Sequence, residues 1–322
     1  MSRAKWVSVG VVFAAAVAAR LTLGTAGFDV GWDQFVERLA RLQFAVVVGV
    51  ALAGSGVALQ ALLRNPLAEP FILGLSTGAG AGIVAHEMLA RRLDTFLGPT
   101  WLGALAGAAA TMLIVYLAGR RRGVIDPLGL LLTGVVVGTI NGAAVMIFSY
   151  LKQRGEPDAE ALSMFMMGQL RVGMTGAWVF WSTAALTLAG LALLAWKAPA
   201  MDVATLSNAE AQALGVNLRA LRALLFAVSS VLAAGAVVLA GPIAFVGLIA
   251  PHLGRLLTGP THRPLLIVSA LLGAALVVAA DTVAAGLDYA FGFGLLPVGV
   301  FTAIVGGVAF LWMLRPQLGR GE

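Results

Sequence analysis

Reactive side chains are scarce in this chain, and their scarcity narrows what it can do. Across 322 residues there is no cysteine, and the three histidines, His86, His252 and His262, stand far apart. Without cysteine there are no disulfides, thiolate metal sites or cysteine nucleophiles. The scattered histidines offer neither a haem pair nor a His-rich metal site, and no His-Glu-x-x-His run occurs. The three lysines, Lys5, Lys152 and Lys197, never follow glycine. A phosphate-cradling Gly-Lys-Ser/Thr loop is therefore missing, and the chain cannot bind and split ATP by that route. The expectation is a protein with no catalytic residues, no metal site and no cofactor, and thus not an enzyme.

Composition says what surrounds these groups. Hydrophobic residues make up 60% of the chain and charged residues 11%, with a mean hydropathy of +0.95. A soluble domain carries about 25% charged residues, so too little polar surface is present to cover a water-soluble globule. The formal charge of +6 could suit nucleic acid, but the 21 basic residues lie in short clusters between apolar runs, which marks membrane topology rather than a polyanion site. Ionisable groups inside apolar runs are costly in lipid and usually functional. The candidates are Glu87, Asp281 and, nearer the inner face, His252. Glu87 and Asp281 are expected close to the outer ends of their helices, within reach of solvent. No buried carboxylate or broken helix at mid-membrane stands out, of the kind an ion-coupled carrier needs. Another subunit is the expected energy source.

The elements that position these groups are apolar runs of the length a bilayer requires, about 20 residues for a core of roughly 30 Å. Charge-free runs occupy 42–63, 95–119, 127–151, 172–196 and 289–314, and shorter apolar runs lie at 6–24, 71–90 and 265–283. The stretch 223–251 is too long for one crossing and is divided by Ala240-Gly241-Pro242. The sum is about ten transmembrane helices in one permease domain covering 1–322. With the N-terminus inside, Arg3, Lys5, Arg64, Arg120, Arg121, Arg122, Lys197, Arg219, Arg222, Arg255, Arg263, Arg315 and Arg320 fall on the cytoplasmic side, 13 of 21 basic residues. The positive-inside rule then puts both termini in the cytoplasm. Gly74, Gly78 and Gly82 repeat every four residues, as do Gly134, Gly138 and Gly142, and Gly103 is followed by Gly107. Small residues at that spacing let helix backbones approach closely in lipid.

The longest cytoplasmic segment, about 198–222, holds its own start and stop signals. Ser207 and Glu210 have capping-box spacing, so a short amphipathic helix is predicted from Asn208 to a C′ glycine at Gly215. Such a helix either lies on lipid headgroups or offers a rigid element to a cytoplasmic partner.

Four segments carry a family resemblance. They are Leu59-Gln60-Ala61-Leu62-Leu63-Arg64-Asn65-Pro66-Leu67-Ala68-Glu69-Pro70 with Leu73-Gly74; Ala213-Leu214-Gly215-Val216; Ala240-Gly241-Pro242 through Pro251-His252; and Leu296-Pro297-Val298-Gly299. In order and spacing the chain resembles the iron-siderophore, haem and vitamin B12 permeases of ATP-binding-cassette importers. The resemblance implies an all-α membrane protein of the type II importer architecture, working as a homodimer. It implies a cytoplasmic gate at Asn65 and Pro66 with Leu132 facing it, and a segment 208–216, with Ser207, Asn208, Glu210, Ala213, Leu214, Gly215 and Val216, that engages the ATPase. Arg38 and Arg41 match arginines that pair with a substrate-binding protein. Departures stand at Ala40, Ala285, Leu295 and Gln169, where the family pattern has proline, a basic residue, glutamate and serine.

The implied partners are a second copy of the chain, two cytoplasmic ATP-binding subunits, a periplasmic or lipid-anchored binding protein, and membrane lipid, but no nucleic acid. The implied place is the bacterial inner membrane. Met164, Met166 and Met167 could adapt to an irregular ligand or simply pack. A ferric siderophore is the expected cargo, with haem or cobalamin as alternatives. An ATP-independent gated channel or sensor is the rival from another class.

Overall fold

In a bilayer every backbone N–H and C=O needs an internal partner, so an apolar chain of this kind must be helical. A computed structural model describes residues 3–25, 27–28, 31–121, 124–152, 158–173, 175–292, 294 and 296–318. Among them run twelve α-helices: α1 (Arg3–Thr22), α2 (Trp32–Leu63), α3 (Leu75–Arg92), α4 (Trp101–Ala118), α5 (Pro127–Lys152), α6 (Asp158–Met166), α7 (Ala177–Val203), α8 (Asn208–Ala213), α9 (Leu218–Ala240), α10 (Val246–Thr258), α11 (His262–Phe291) and α12 (Val298–Leu318). A 3-10 turn at Pro70–Leu73 precedes α3, and a two-stranded hairpin, Arg120–Arg121 paired with Val124–Ile125, joins α4 to α5.

By length and apolarity seven helices, α1, α2, α4, α5, α7, α9 and α11, can cross a membrane. α3 ends in Glu87, Arg91 and Arg92, and α10 has 13 residues, about 20 Å at 1.5 Å per residue. The divided run is resolved as expected: α9 stops at Ala240, Gly241 takes φ +64, and α10 starts at Val246. Two boundaries differ from expectation. α7 continues through Pro199 to Val203, because Ala198 and Met201 are buried and hold the last turn against the bundle, so the start of the expected segment, 198–203, is helical and continuous with α7. α11 continues to Phe291, where Gly292 in the left-handed region finally ends it.

α2 is the central post, with 78% of its apolar window buried, and α11, α9 and α10 pack around it. Glycine sets these contacts. α3 and α4 meet at Gly78 and Gly82 against Gly103 and Gly107, so close that a Cβ at Gly82 would lie 2.7 Å from the Cα of Gly107. Gly74 meets Gly134 and Gly138 of α5 in the same way, whereas Gly142 faces looser space. Further close approaches join α2 to α11 at Gly49 and Gly273, and α2 to α10 at Gly56 and Gly247. α5 lies at the other extreme, with 17% of its window buried.

Candidate functional site

The Asn65 turn is built from the end of α2. Pro66 has no N–H to continue the helix, and Arg64 turns the chain with φ +48. The Gln60 carbonyl accepts from both the Arg64 and Asn65 N–H groups, the latter at 3.2 Å. Asn65 Oδ1 then accepts the Leu67 N–H at 2.9 Å, an Asx turn that fixes its side chain. Gln60 is buried and serves both sides of the turn: its Nε2 donates to the carbonyls of Ala68 and Gly247, both at 3.4 Å, and its Oε1 accepts from Arg255 Nη1 at 2.8 Å. Glu69, also buried, accepts the backbone N–H of Phe245. The 3-10 turn that follows rests on α5 at Gly134 and Gly138. Leu132 lies two residues before Gly134 on α5 and is 60% exposed, while Asn65 is half-buried and Pro66 exposed.

The segment around 207–222 folds on the predicted signals. Glu210 N–H donates to Ser207 Oγ at 3.3 Å and Ser207 N–H to Glu210 Oε2 at 3.0 Å, a complete capping box. Hydrogen bonds to the exposed Glu210 carboxyl from the Ser207 hydroxyl and then from the Ser207 backbone N–H hold it below its ordinary pKa. α8 ends at Ala213, Leu214 is exposed, and Gly215 takes φ +82. Arg222 ties the segment down, donating to Asn208 Oδ1 at 3.1 Å and to the Ile125 carbonyl at 3.2 Å. Sequence reasoning missed a second tie. Asp202, at the end of α7, accepts the first N–H of α11, that of His262, at 2.8 Å, and its Oδ1 lies 2.6 Å from His262 Nδ1.

At the opposite end the expectations need correction. Asp281 is not solvated: it is fully buried between Arg20 Nε and Arg41 Nη2, each at 2.5 Å. Arg38 and Arg41, expected to face a docking protein, are 3% and 6% exposed. Arg38 donates to the carbonyls of Leu21, Thr22 and Gly27, closing the end of α1, and Arg41 belongs to Asp281. Both point inward because the carbonyls of the α1 end and the Asp281 carboxylate would otherwise be left unpaired. Nothing local to Asp281 signals this pairing, since Arg41 and Arg20 lie 240 and 261 residues from the carboxylate. Of the departures, Ala285 is buried and Ala40 and Gln169 are half-buried; Leu295 lies outside the described residues.

Gly74-Leu75-Ser76-Thr77-Gly78 has nucleophile-elbow spacing. It follows a 3-10 turn instead of a strand, and Ser76 Oγ is buried without a hydrogen-bond partner, so no base is in place to activate it.

An internally braced turn at Asn65, a capped helix at 208–213 and a glycine-packed bundle thus sit on one chain. The profile of the FecCD transport family matches residues 5–316. The chain belongs to the FecCD transport family. Within it, the cobalamin import system permease protein BtuC of Halobacterium salinarum is 40% identical over 282 residues, 87% of this chain and 72% of that protein. The hemin transport system permease protein HmuU of Yersinia pestis is 35% identical, covering 92% of this chain and 88% of its own. Among solved structures, one described as an inward-facing metal-chelate type ABC transporter superposes with a TM-score of 0.81 at 27% identity, covering 97% of this chain and 98% of that one. This FecCD chain is a multi-pass membrane protein.

Proposed function

We propose that the chain is the membrane-spanning permease subunit of an ATP-binding-cassette importer for a metal chelate in the bacterial inner membrane. Two copies enclose the path. A binding protein delivers the cargo on the outer side, and two ATP-binding subunits grip 208–216 on the inner side. The observation that carries this reading is the pairing of an internally braced gate turn at Asn65 with a capped, projecting helix at 208–213, in a chain whose relatives are named as import permeases. α3, α10 and α12 complete ten crossings with both termini cytoplasmic, in keeping with the distribution of basic residues.

Exposed apolar side chains support a place for the second copy and for lipid: Val135, Ile140 and Ile147 on α5, and Ile304, Val308 and Leu311 on α12. Leu132 on the same helix is the apolar gate, meeting the Asn65 turns across the path and closing it by constriction. The cargo is a metal held in an organic ligand: ferric siderophore, haem or cobalamin.

The test is ATP hydrolysis in lipid vesicles by the chain purified with its ATP-binding subunit, wild type against Gly215→Pro. Gly215 sits at φ +82, and proline is locked near −65°, so the substitution must distort the end of the coupling segment while leaving the bundle alone. The expected result is a complex that assembles but loses stimulation by the binding protein. If no ATP-binding subunit forms a stable complex with the wild type and the chelate still enters, the gated channel takes its place.

A further inference from the structure

Glu69 stands where a carboxylate is costly. It is 8% exposed, and among the described residues no cation pairs with it; its Oε1 accepts the N–H of Phe245 instead. That N–H belongs to the N-cap residue of α10, which has no helical partner of its own to donate to. Phe245 is held at φ +68, a conformation side-chain-bearing residues rarely adopt. Its ring lies over Gly306 of α12, where a Cβ would come within 2.9 Å of Cδ2, and faces Phe310 with centroids 6.4 Å apart. On the same turn Gln60 reaches the carbonyls of Ala68 and Gly247 and is itself held by Arg255. Two side chains therefore bind the Asn65 turn to the two residues flanking the first residue of α10, and the Phe245 ring binds that junction to α12.

The other end of α10 is equally placed. Thr258 is separated from α11 by three residues, and His262, first in α11, is tied to Asp202 just ahead of the capped helix α8. A continuous run of contacts thus leads from the 208–216 segment through the α10–α11 corner and along α10 to Phe245, Glu69 and Asn65.

We propose that Glu69 is a positioning residue for the gate: its bond to the Phe245 N–H makes the Asn65 turn follow α10 and α12 as one body, so that movement at the coupling segment reaches the gate. This rests on the importer reading, and two separate readouts keep the two apart. The first is amide exchange of the chain alone in lipid nanodiscs. Glu69→Ala is expected to speed exchange in 67–73 and 245–249 by about tenfold, as loss of one buried hydrogen bond that leaves the Phe245 N–H unpaired implies, while Glu69→Gln, which keeps an acceptor, stays near wild type. The second is chelate transported per ATP hydrolysed in the reconstituted complex. It is expected to collapse in Glu69→Ala with hydrolysis retained, and to recover in Glu69→Gln.

Phe245→Gly, which keeps the N–H but removes the ring, should preserve slow exchange in 67–73 and still lower transport per ATP. It also serves if Glu69→Ala does not fold. Unchanged exchange in both segments of Glu69→Ala overturns the latch, as does unchanged transport per ATP in both Glu69→Ala and Phe245→Gly. A wild type that couples to no ATPase overturns the importer reading, and the exchange result still decides whether the latch exists.

Discussion

The buried cluster at Asp281 yields the sharpest energetic prediction. One carboxylate, fully buried, is shared by Arg20 and Arg41, which are 1% and 6% exposed, so the cluster carries a net positive charge even when intact. Asp281→Asn keeps an oxygen acceptor but leaves two buried guanidinium groups unneutralised. Breaking a buried pair by removing one partner costs about 3–5 kcal/mol. At about 2 °C per kcal/mol for a long chain, that lowers the melting midpoint by roughly 6–10 °C. Arg20→Met, by contrast, leaves Arg41 and Asp281 as a balanced pair and should cost less than half as much. Adding Arg20→Met to Asp281→Asn should recover part of the loss, because one unneutralised cation is removed. The coupling between the two sites is then strongly non-additive. The assay is size-exclusion after heating in detergent, with all three variants and the wild type side by side. Equal shifts for the two single variants, or a double variant below both, would refute the charge argument. α1 offers a second view: its apolar window is only 11% buried, so Arg20 is a main tie to the bundle, and Asp281→Asn should make α1 markedly easier to label or cleave.

Other consequences can be checked with the same material. Gly82→Ala forces a Cβ to within 2.7 Å of the Gly107 Cα, with backbone that cannot swing away, and should cost about 1–3 kcal/mol, whereas Gly142→Ala meets only Thr77 Cγ2 at 3.8 Å and should be neutral; equal melting shifts would remove glycine packing as the cause. Ser207→Ala should speed amide exchange in 208–213 roughly fivefold, the equivalent of about 1 kcal/mol for a lost N-cap, and leave the rest of the chain unchanged. The depressed Glu210 pKa sets the sign of a pH effect on the same helix. Its stabilisation is complete above the ordinary glutamate pKa and fades as pH falls through the lower value of the folded state, so protection in α8 should weaken on acidification in the wild type and lose that pH dependence in Glu210→Gln.

What the sequence disclosed and what it hid divide along one physical line, the distance along the chain at which an interaction is decided. The capping box at Ser207 and Glu210, the stop at Gly215 and the break at Gly241 are settled by groups within a few residues, and all three were legible. The glycine run 74, 78, 82 was legible for a different reason. In lipid no hydrophobic force sorts helix faces, so spacing of small residues is itself the packing signal, and the partner surface at 103 and 107 carries the same spacing. Gly142 shows the limit of that reasoning: it continues the period-four run of Gly134 and Gly138 but has no glycine opposite, because an interface needs two surfaces and a run in sequence describes one. The buried charges fail for the same reason more severely. An aspartate late in an apolar run reads as interfacial, and nothing near Asp281 announces arginines drawn from α1 and α2. Likewise Glu69, within a motif whose polar turn is obvious, gives no local sign that its acceptor is spent on Phe245, 176 residues away. At Asp281 and Glu69 a carboxylate is removed from water, and each joins helices that the chain visits at widely separated times. Burial of charge in this fold marks long-range joints of the bundle, one holding α1 and α2 to α11 and the other holding the Asn65 turn to the start of α10.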